Sequence, residues 1–234
     1  MDFDQESLRE VQETRLLLDQ LDDWLFEMIN PYIGERVLEV GSGMGNYMRQ
    51  LVDRELILGI DISPECVEFI NNEFRDKDHV QSVECDVTSP DFLKLKSFSI
   101  DTTLSVNVLE HIEDDIGALR QISNILTEDG KLILVVPAHM ALYGTMDSSL
   151  GHYRRYTIKD LEEKLEAAGF ELVVQRYANP LGAFGWFING RVLKRKTPPS
   201  EQLKVFNRLM PVVKMLDRMH LPFGISVLSV SQKV

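Results

Sequence analysis

Glycine takes every second place in the stretch Gly41-Ser42-Gly43-Met44-Gly45, directly after Val37-Leu38-Glu39-Val40. Inside a helix or strand each glycine costs about 0.5–1 kcal/mol relative to alanine, so this density of glycine ends regular structure. In return it supplies a backbone that turns tightly and that a ligand can approach without meeting a Cβ. A strand that runs into such a turn and then into a helical pattern is the opening unit of an α/β sheet. Ligands of open α/β sheets bind beyond the carboxyl ends of the strands.

The rest of the chain repeats that alternation. Apolar runs predict strands at residues 36–40, 56–60, 80–85, 100–106, 131–136, 171–177 and 225–230. Helical patterns fall between them, with Ser63 as a cap before Pro64 and Gly169 as a stop. Residues 116–126 read as helix and 128–130 as a turn. Thr157 and Asp160 resemble a capping box. Strand–helix alternation means βαβ units and a mostly parallel, seven-stranded sheet with helices on both faces. The expected organisation is one domain over residues 1–234. Residues 1–30 form an N-terminal helical cap, ended by Asn30-Pro31, and residues 180–222 a basic helical insertion between the sixth and seventh strands.

The 234 residues carry a formal net charge of −12, which repels phosphate and argues against general nucleic-acid binding. The charge is unevenly spread. Residues 180–222 hold eight bases and two acids, a net +6, so the other residues carry −18. That segment is also apolar at Phe184, Trp186, Phe187, Ile188, Val192 and Leu193, beside Arg191, Lys194, Arg195 and Lys196. It reads as a lid over an active site, or as an interfacial element that touches anionic membrane; the two are compatible. No apolar run reaches the roughly 18 residues of a spanning helix, and the acidic start does not read as a secretory leader. Cys66 and Cys85 have no metal or redox spacing and read as buried thiols of a reducing compartment. The expected location is cytoplasmic, with peripheral contact at the inner face of the membrane through residues 180–222. No metal is expected.

Two kinds of ligand suit a glycine turn at a strand end. A dinucleotide uses G-x-G-x-x-G, with its pyrophosphate at the helix N-terminus. Here the third glycine comes one residue early, and Glu39 would face a phosphate with like charge. The same carboxylate suits a cationic ligand. Acids also close the next two strands, at Asp61, which lies 20 residues after Gly41, and at Asp86. A strand-end acid at that separation accepts ribose hydroxyls. Asp86 can accept from an exocyclic amine, and the Val87 N–H suits a ring nitrogen.

Taken in order, "VLEVGSGMG", "ILGIDIS", "VECDVTS", "LSVNVLEHIEDD" and "LTEDGKLILVVP" resemble the successive motifs of the class I S-adenosylmethionine-dependent methyltransferases. The branch most similar is the small-molecule one that includes quinone-biosynthesis enzymes. The resemblance covers residues 36–170 and implies a Rossmann-like sheet and S-adenosylmethionine as cofactor. It places the cofactor against Glu39, Gly41, Ser42, Gly43, Gly45, Asp61, Ile62, Asp86, Val87, Asn107 and Val108. In that arrangement Asp61 meets the ribose, Asp86 and Val87 the adenine, Glu39 the ammonium, and Asn107 with Val108 the methionine part.

A sulfonium methyl is already activated, and its transfer is an in-line displacement. It needs alignment, worth up to about 7–11 kcal/mol, and for a hydroxyl acceptor a base, worth about 10²–10⁴-fold. The loop after the fifth strand, "PAHMALYGTMDSSLGHYRRYT", supplies the catalytic candidates His152, Arg154, Arg155 and Tyr156. His152 is the candidate base, and the two arginines can clamp an anionic group on the acceptor. Structural roles compete: Arg154 can pair with acids of the body, and His152 can pack the loop. His111 reads as structural or cofactor-adjacent. The segment "GHYRRYT" resembles one that recurs in a subset of the superfamily associated with glycosyltransferases.

The expected function is methyl transfer, at oxygen, to a small-molecule, sugar or lipid-linked acceptor. One alternative is a protein or nucleic-acid N-methyltransferase, but Asn107-Val108-Leu109-Glu110 is not the Asn-Pro-Pro-Tyr type of loop such enzymes use. A nicotinamide-dependent dehydrogenase is disfavoured by the glycine spacing and Glu39. A non-catalytic cofactor-binding scaffold is compatible with the motifs but has no residue that argues for it.

Overall fold

The structure, a computed structural model, describes residues 19–234; the first part of the expected N-terminal cap lies outside the described residues. Seven strands form one sheet: β1 (Arg36–Val40), β2 (Leu56–Asp61), β3 (Val80–Glu84), β4 (Ile100–Val106), β5 (Leu126–Pro137), β6 (Phe170–Ala178) and β7 (Ser226–Lys233). Their order is β3-β2-β1-β4-β5-β7-β6. The first five are parallel, and β7 runs antiparallel to both β5 and β6. The chain proceeds outward from β1 to β3 and then returns to place β4 on the other side of β1. That reversal opens a crevice at the carboxyl end of β1, where the glycine turn sits.

The strands alternate between two apolar faces. Leu38, Leu58, Leu132 and Leu134 join one buried cluster with Leu119, Ile122, Leu161 and Leu165 of helices α4 (Asp115–Ile125) and α6 (Ile158–Ala167). Their neighbours Val37, Ile57 and Ile133 join a second cluster on the opposite face. There they pack with α1 (Asp19–Ile29), α2 (Asn46–Gln50) and α3 (Pro64–Glu73). A strand buried on both faces has no polar side to show, which is why these runs are almost wholly apolar. Each buried leucine or isoleucine contributes on the order of 1.5–3 kcal/mol. The expected caps form: Ser63 Oγ accepts from Cys66 N at 3.3 Å, Thr157 Oγ1 accepts from Asp160 N at 3.1 Å, and Gly169 ends α6 at φ +84°.

Two elements differ from the sequence reading. The fifth strand begins at Leu126, not Lys131. The expected turn at 128–130 is present as a bulge: Asp129 has φ +59°, and the register with β4 moves from Ile100 opposite Leu126 to Thr102 opposite Lys131. The insertion is also not uniform. Beyond α5 (Thr145–Leu150), which lies in the loop after β5, the insertion begins with α7 (Pro180–Phe187) and α8 (Ser200–Arg208), and its last helix, α9 (Met210–Asp217), buries Met210 and Val213 in the second cluster with Trp24. Lys214 pairs with Glu27 at 3.1 Å, and Asp217 pairs with Arg176 at 2.8 Å while accepting from Asn179 N at 3.0 Å. This half of the insertion is body rather than lid.

Asp115 ties the segment beyond β5 to the front of α4. Its carboxylate pairs with Arg154 at 2.6 Å and Lys164 at 3.2 Å, and accepts the Tyr156 hydroxyl at 3.0 Å. Burial by itself would raise this carboxyl, but Arg154 and Lys164 outweigh it and hold it below the ordinary value of 3.8. Asp115→Asn is expected to lower stability at pH 7 by about 1–3 kcal/mol in urea unfolding, because it removes the partner of two partly buried cations. The contribution is present above about pH 4 and is lost as the pH falls through the depressed folded-state value. The gap between wild type and variant should therefore narrow at pH 3, and a gap that stays constant contradicts the assignment.

A candidate cofactor cleft and acceptor loop

The glycine turn has a left-handed backbone at all three of its glycines, with φ of +72° at Gly41, +50° at Gly43 and +76° at Gly45. The N–H groups of Gly41 and Ser42 donate to Ile60 O at 2.8 and 2.9 Å, which fastens the turn to the end of β2. The next residue of β2, Asp61, accepts from Gly43 N at 2.8 Å and from Ser63 N at 2.9 Å. Each carboxylate oxygen has a second lone pair, so the ribose hydroxyls expected there can still be accepted. A methyl group added at Gly41 would lie 2.4 Å from Val108 Cγ2. The segments after β1, β2 and β4 thus meet at one place.

The remaining expected cofactor residues divide into two groups. Glu39 and Ser42 are buried behind the turn, and Val87 packs into the first apolar cluster. Ile62, Asp86 and Asn107 are exposed at the mouth. Ile62 and Asp86 line one open cavity of about 350 Å³, together with Glu84, Cys85, Ser89 and Asp91. Ile62 is 68% exposed, an apolar wall of the kind a planar base covers. Asp86 Oδ1 is held by Thr88 N and Thr88 Oγ1, both at 2.7 Å. Three carboxylates around the cavity favour amine and hydroxyl donors and repel phosphate. Cys85 is therefore not the buried thiol expected; it lines this cavity, and partial burial with the charges of Asp86 and Asp91 pushes its thiol up. The residues present fit a sulfonium nucleoside better than a dinucleotide.

The acceptor loop is organised by a carboxylate that carries no motif in the sequence. Asp147 is wholly buried and receives four donors: Gly144 N at 2.9 Å, His152 Nδ1 at 3.0 Å, Arg155 Nε at 2.6 Å and Trp186 Nε1 at 3.0 Å. Burial alone would raise this carboxyl, but the bonds from His152, Arg155 and Trp186 bring it down to about 2. The Arg155 guanidinium also lies 4.9 Å from the Trp186 ring centroid, a cation–π contact. Arg155 further donates to Ala138 O at 3.1 Å.

The four catalytic candidates consequently have different surroundings. Arg155 is buried on Asp147 and Arg154 is paired with Asp115, also donating to Glu113 O at 2.7 Å. Both arms of the expected clamp are thereby taken up by internal carboxylates. Tyr156 has no exposed surface; burial and Asp115 push its phenol far above the usual range, so it cannot serve as a base. His152 keeps one ring nitrogen for chemistry: Nδ1 is engaged by Asp147, and Nε2 faces Glu110 Oε1 at 4.0 Å. Glu110 is itself wholly buried, its carboxyl raised by burial to about 8. His111 stands edge-on to the His152 ring, with centroids 4.7 Å apart. Glu110 and His111 follow Val108, the residue that meets Gly41, by two and three positions in the chain.

A parallel sheet with a final antiparallel strand, a left-handed glycine turn and acids closing adjacent strands defines a class I S-adenosylmethionine-dependent methyltransferase. The chain matches the family described as a methyltransferase domain over residues 12–175, and it belongs to that family; S-adenosylmethionine is its cofactor. Among curated proteins it is 31% identical, over 48% of its length, to the tRNA U34 carboxymethyltransferase of Aeromonas hydrophila subsp. hydrophila. It is 28% identical, over 54% of its length, to an uncharacterised 37.1 kDa protein of transposon TN4556 from Streptomyces fradiae. These matches span 36% and 38% of the two relatives. Among solved structures, a geranyl diphosphate methyltransferase in complex with S-adenosylmethionine superposes with a TM-score of 0.67 at 15% identity, over 100% of this chain and 93% of that one. At that identity the likeness concerns the fold.

Asp61→Asn replaces an acceptor oxygen with an amide that must face one of two N–H donors. It is expected to weaken S-adenosylmethionine binding at least tenfold, about 1.4 kcal/mol, in titration calorimetry. An unchanged dissociation constant in a folded variant removes Asp61 from the cofactor site.

Proposed function

We propose that the protein methylates an oxygen of a small-molecule, sugar or lipid-linked acceptor, and that His152 is the residue through which the acceptor hydroxyl is activated. S-adenosylmethionine supplies the methyl group. The hydroxyl oxygen forms the new bond to the methyl carbon as the carbon–sulfur bond breaks, and the hydroxyl proton leaves through the His152 side. Asp147 holds the imidazole with Nε2 presented, and Trp186 of the lid shares that carboxylate, so lid and imidazole are positioned together. Arg154, Arg155 and Tyr156 act in this reading as positioning residues. The observation that carries it is the buried Asp147–His152 pair, whose imidazole faces Glu110 and His111 just past Val108, the residue that meets Gly41. His152→Asn is expected to lower kcat by about 10²-fold or more at pH 7, with cofactor affinity unchanged. An unchanged rate removes His152 from the chemistry.

The lipid-linked form of the acceptor is supported by the first half of the insertion. Phe184, Phe187, Ile188, Val192 and Leu193 are each at least 43% exposed, and Arg191, Lys194, Arg195 and Lys196 accompany them. An apolar face edged with bases suits an anionic bilayer surface, and a location at the inner face of the membrane would follow. No described helix is long and apolar enough to cross a membrane. The protein is expected to sediment with vesicles containing phosphatidylglycerol at low salt and to be released by about 0.5 M salt. Phe187→Asp should abolish sedimentation, and no pelleting of the wild type contradicts membrane contact. The tRNA-modifying relative favours a second reading, transfer to RNA. Retention of tRNA in a filter-binding assay would support it against the acidic charge of the body.

A further inference from the structure

Glu110 is an anomaly among the described residues. It has no exposed surface, and neither carboxylate oxygen has a hydrogen-bond partner. Removing a carboxylate from water without donors costs several kcal/mol. Protonation does not resolve the problem, because a carboxylic acid O–H also needs an acceptor. His152 Nε2, at 4.0 Å, is beyond hydrogen-bond reach.

Beside Glu110 stand two imidazoles that can offer lone pairs, with the Arg155 and Asp147 charges behind them. Asp147 accepts the Nδ1 proton of His152, which leaves Nε2 as a lone-pair donor turned toward Glu110. The His111 ring meets the His152 ring edge-on. One ligand atom from each of Glu110, His111 and His152 can be chosen so that all lie within 4.8 Å of one another. The carboxylate behind His152 is the arrangement that fixes tautomer and ring direction in metal-binding histidines. Asp147 is in turn held by Arg155, Trp186 and the backbone. His111 is exposed, so an ion can reach the group from solvent.

We propose that Glu110, His111 and His152 bind one divalent first-row transition metal, with Asp147 as the outer carboxylate that orients His152. Two imidazole nitrogens and one carboxylate oxygen suit zinc, iron, cobalt or manganese and leave coordination positions open. The ion gives the Glu110 carboxylate its missing partner. Binding does not depend on which acceptor the enzyme uses. Only the use of the site rests on the reading above: with Nε2 on the ion, His152 would act through the metal instead of taking the proton itself, and an acceptor hydroxyl in an open position would lose its proton to water more readily.

The test is direct binding to the full chain after removal of metals with a chelator. Titration with CoCl2, followed by the visible d–d absorption, and with ZnCl2 by calorimetry should each give one site with a dissociation constant of about 10 μM or tighter. His111→Ala, Glu110→Gln and His152→Asn should each weaken binding at least tenfold. Asp147→Asn should also weaken it, by about 10–100-fold, through loss of the outer carboxylate. His111 is exposed, so its variant is expected to fold even if those at buried positions do not. His79→Asn and His220→Asn, remote in sequence from the cluster, should bind cobalt as the wild type does. Absence of saturable binding below about 100 μM, or binding that His111→Ala leaves unchanged, overturns the proposal. If metal binds as described and His152→Asn still methylates normally, the metal site stands and the catalytic reading fails.

Discussion

One carboxylate holds the cofactor cleft in shape. Asp61 ends β2 and accepts both the Gly43 N–H and the Ser63 N–H, so the turn after β1 and the start of α3 are fixed by the same group. The turn is able to reach it because Gly41, Gly43 and Gly45 adopt a left-handed backbone that other residues adopt at a cost of about 1–2 kcal/mol each. Glycine also lets Val108, arriving from β4, lie against the bare main chain at Gly41. The crevice is thus set before any ligand arrives, and little ordering remains to be done on binding.

A second carboxylate does the corresponding work for the acceptor loop. Asp147 gathers donors from its own turn, from His152 and Arg155 further along the loop, and from Trp186 in α7. A buried carboxylate is tolerable when its lone pairs are this fully used, and it becomes destabilising when a donor is withdrawn. Helix α7 and the imidazole are therefore not independent: movement of Trp186 away from the loop removes one of the bonds that hold Asp147, the carboxylate that orients His152.

These two centres were not equally legible in the sequence. The position of Asp61 was readable because it is local to the sheet pattern: it closes an apolar strand at a fixed distance from a glycine turn. The same logic located the strands, the caps at Ser63 and Thr157, and the crevice. Asp147 sits among Thr145, Met146, Ser148 and Ser149 with no periodicity to mark it. Its partner Trp186 is 39 residues away and reads as one more apolar residue of the insertion. Arg154 and Arg155 were legible as cations, but their pairing was not, because Asp115 and Asp147 approach only after α4 and the loop after β5 have packed. The insertion shows the same limit. Residues 184–193 and 203–216 share a composition, yet Met210 and Val213 are core while Phe187 and Val192 face outward. Composition records that apolar surface exists, and the rest of the fold decides which part of it is covered.

His152 stands between two carboxylates that are alike in burial and opposite in state. Asp147 has four donors and is held at about 2; Glu110 receives no donor from another residue and is raised to about 8. Burial pushes both carboxyls up; at Asp147 the bonds from His152, Arg155 and Trp186 outweigh it, and at Glu110 nothing does. A leucine of similar volume at position 110 would pack without the desolvation cost, so the carboxylate adds nothing to folding that an apolar side chain would not. The fold supplies a complete shell of donors on one side of the imidazole and withholds it on the other. Such an asymmetry makes Nδ1 a structural nitrogen and Nε2 a chemical one, and it directs whatever His152 does toward Glu110 and the end of β4.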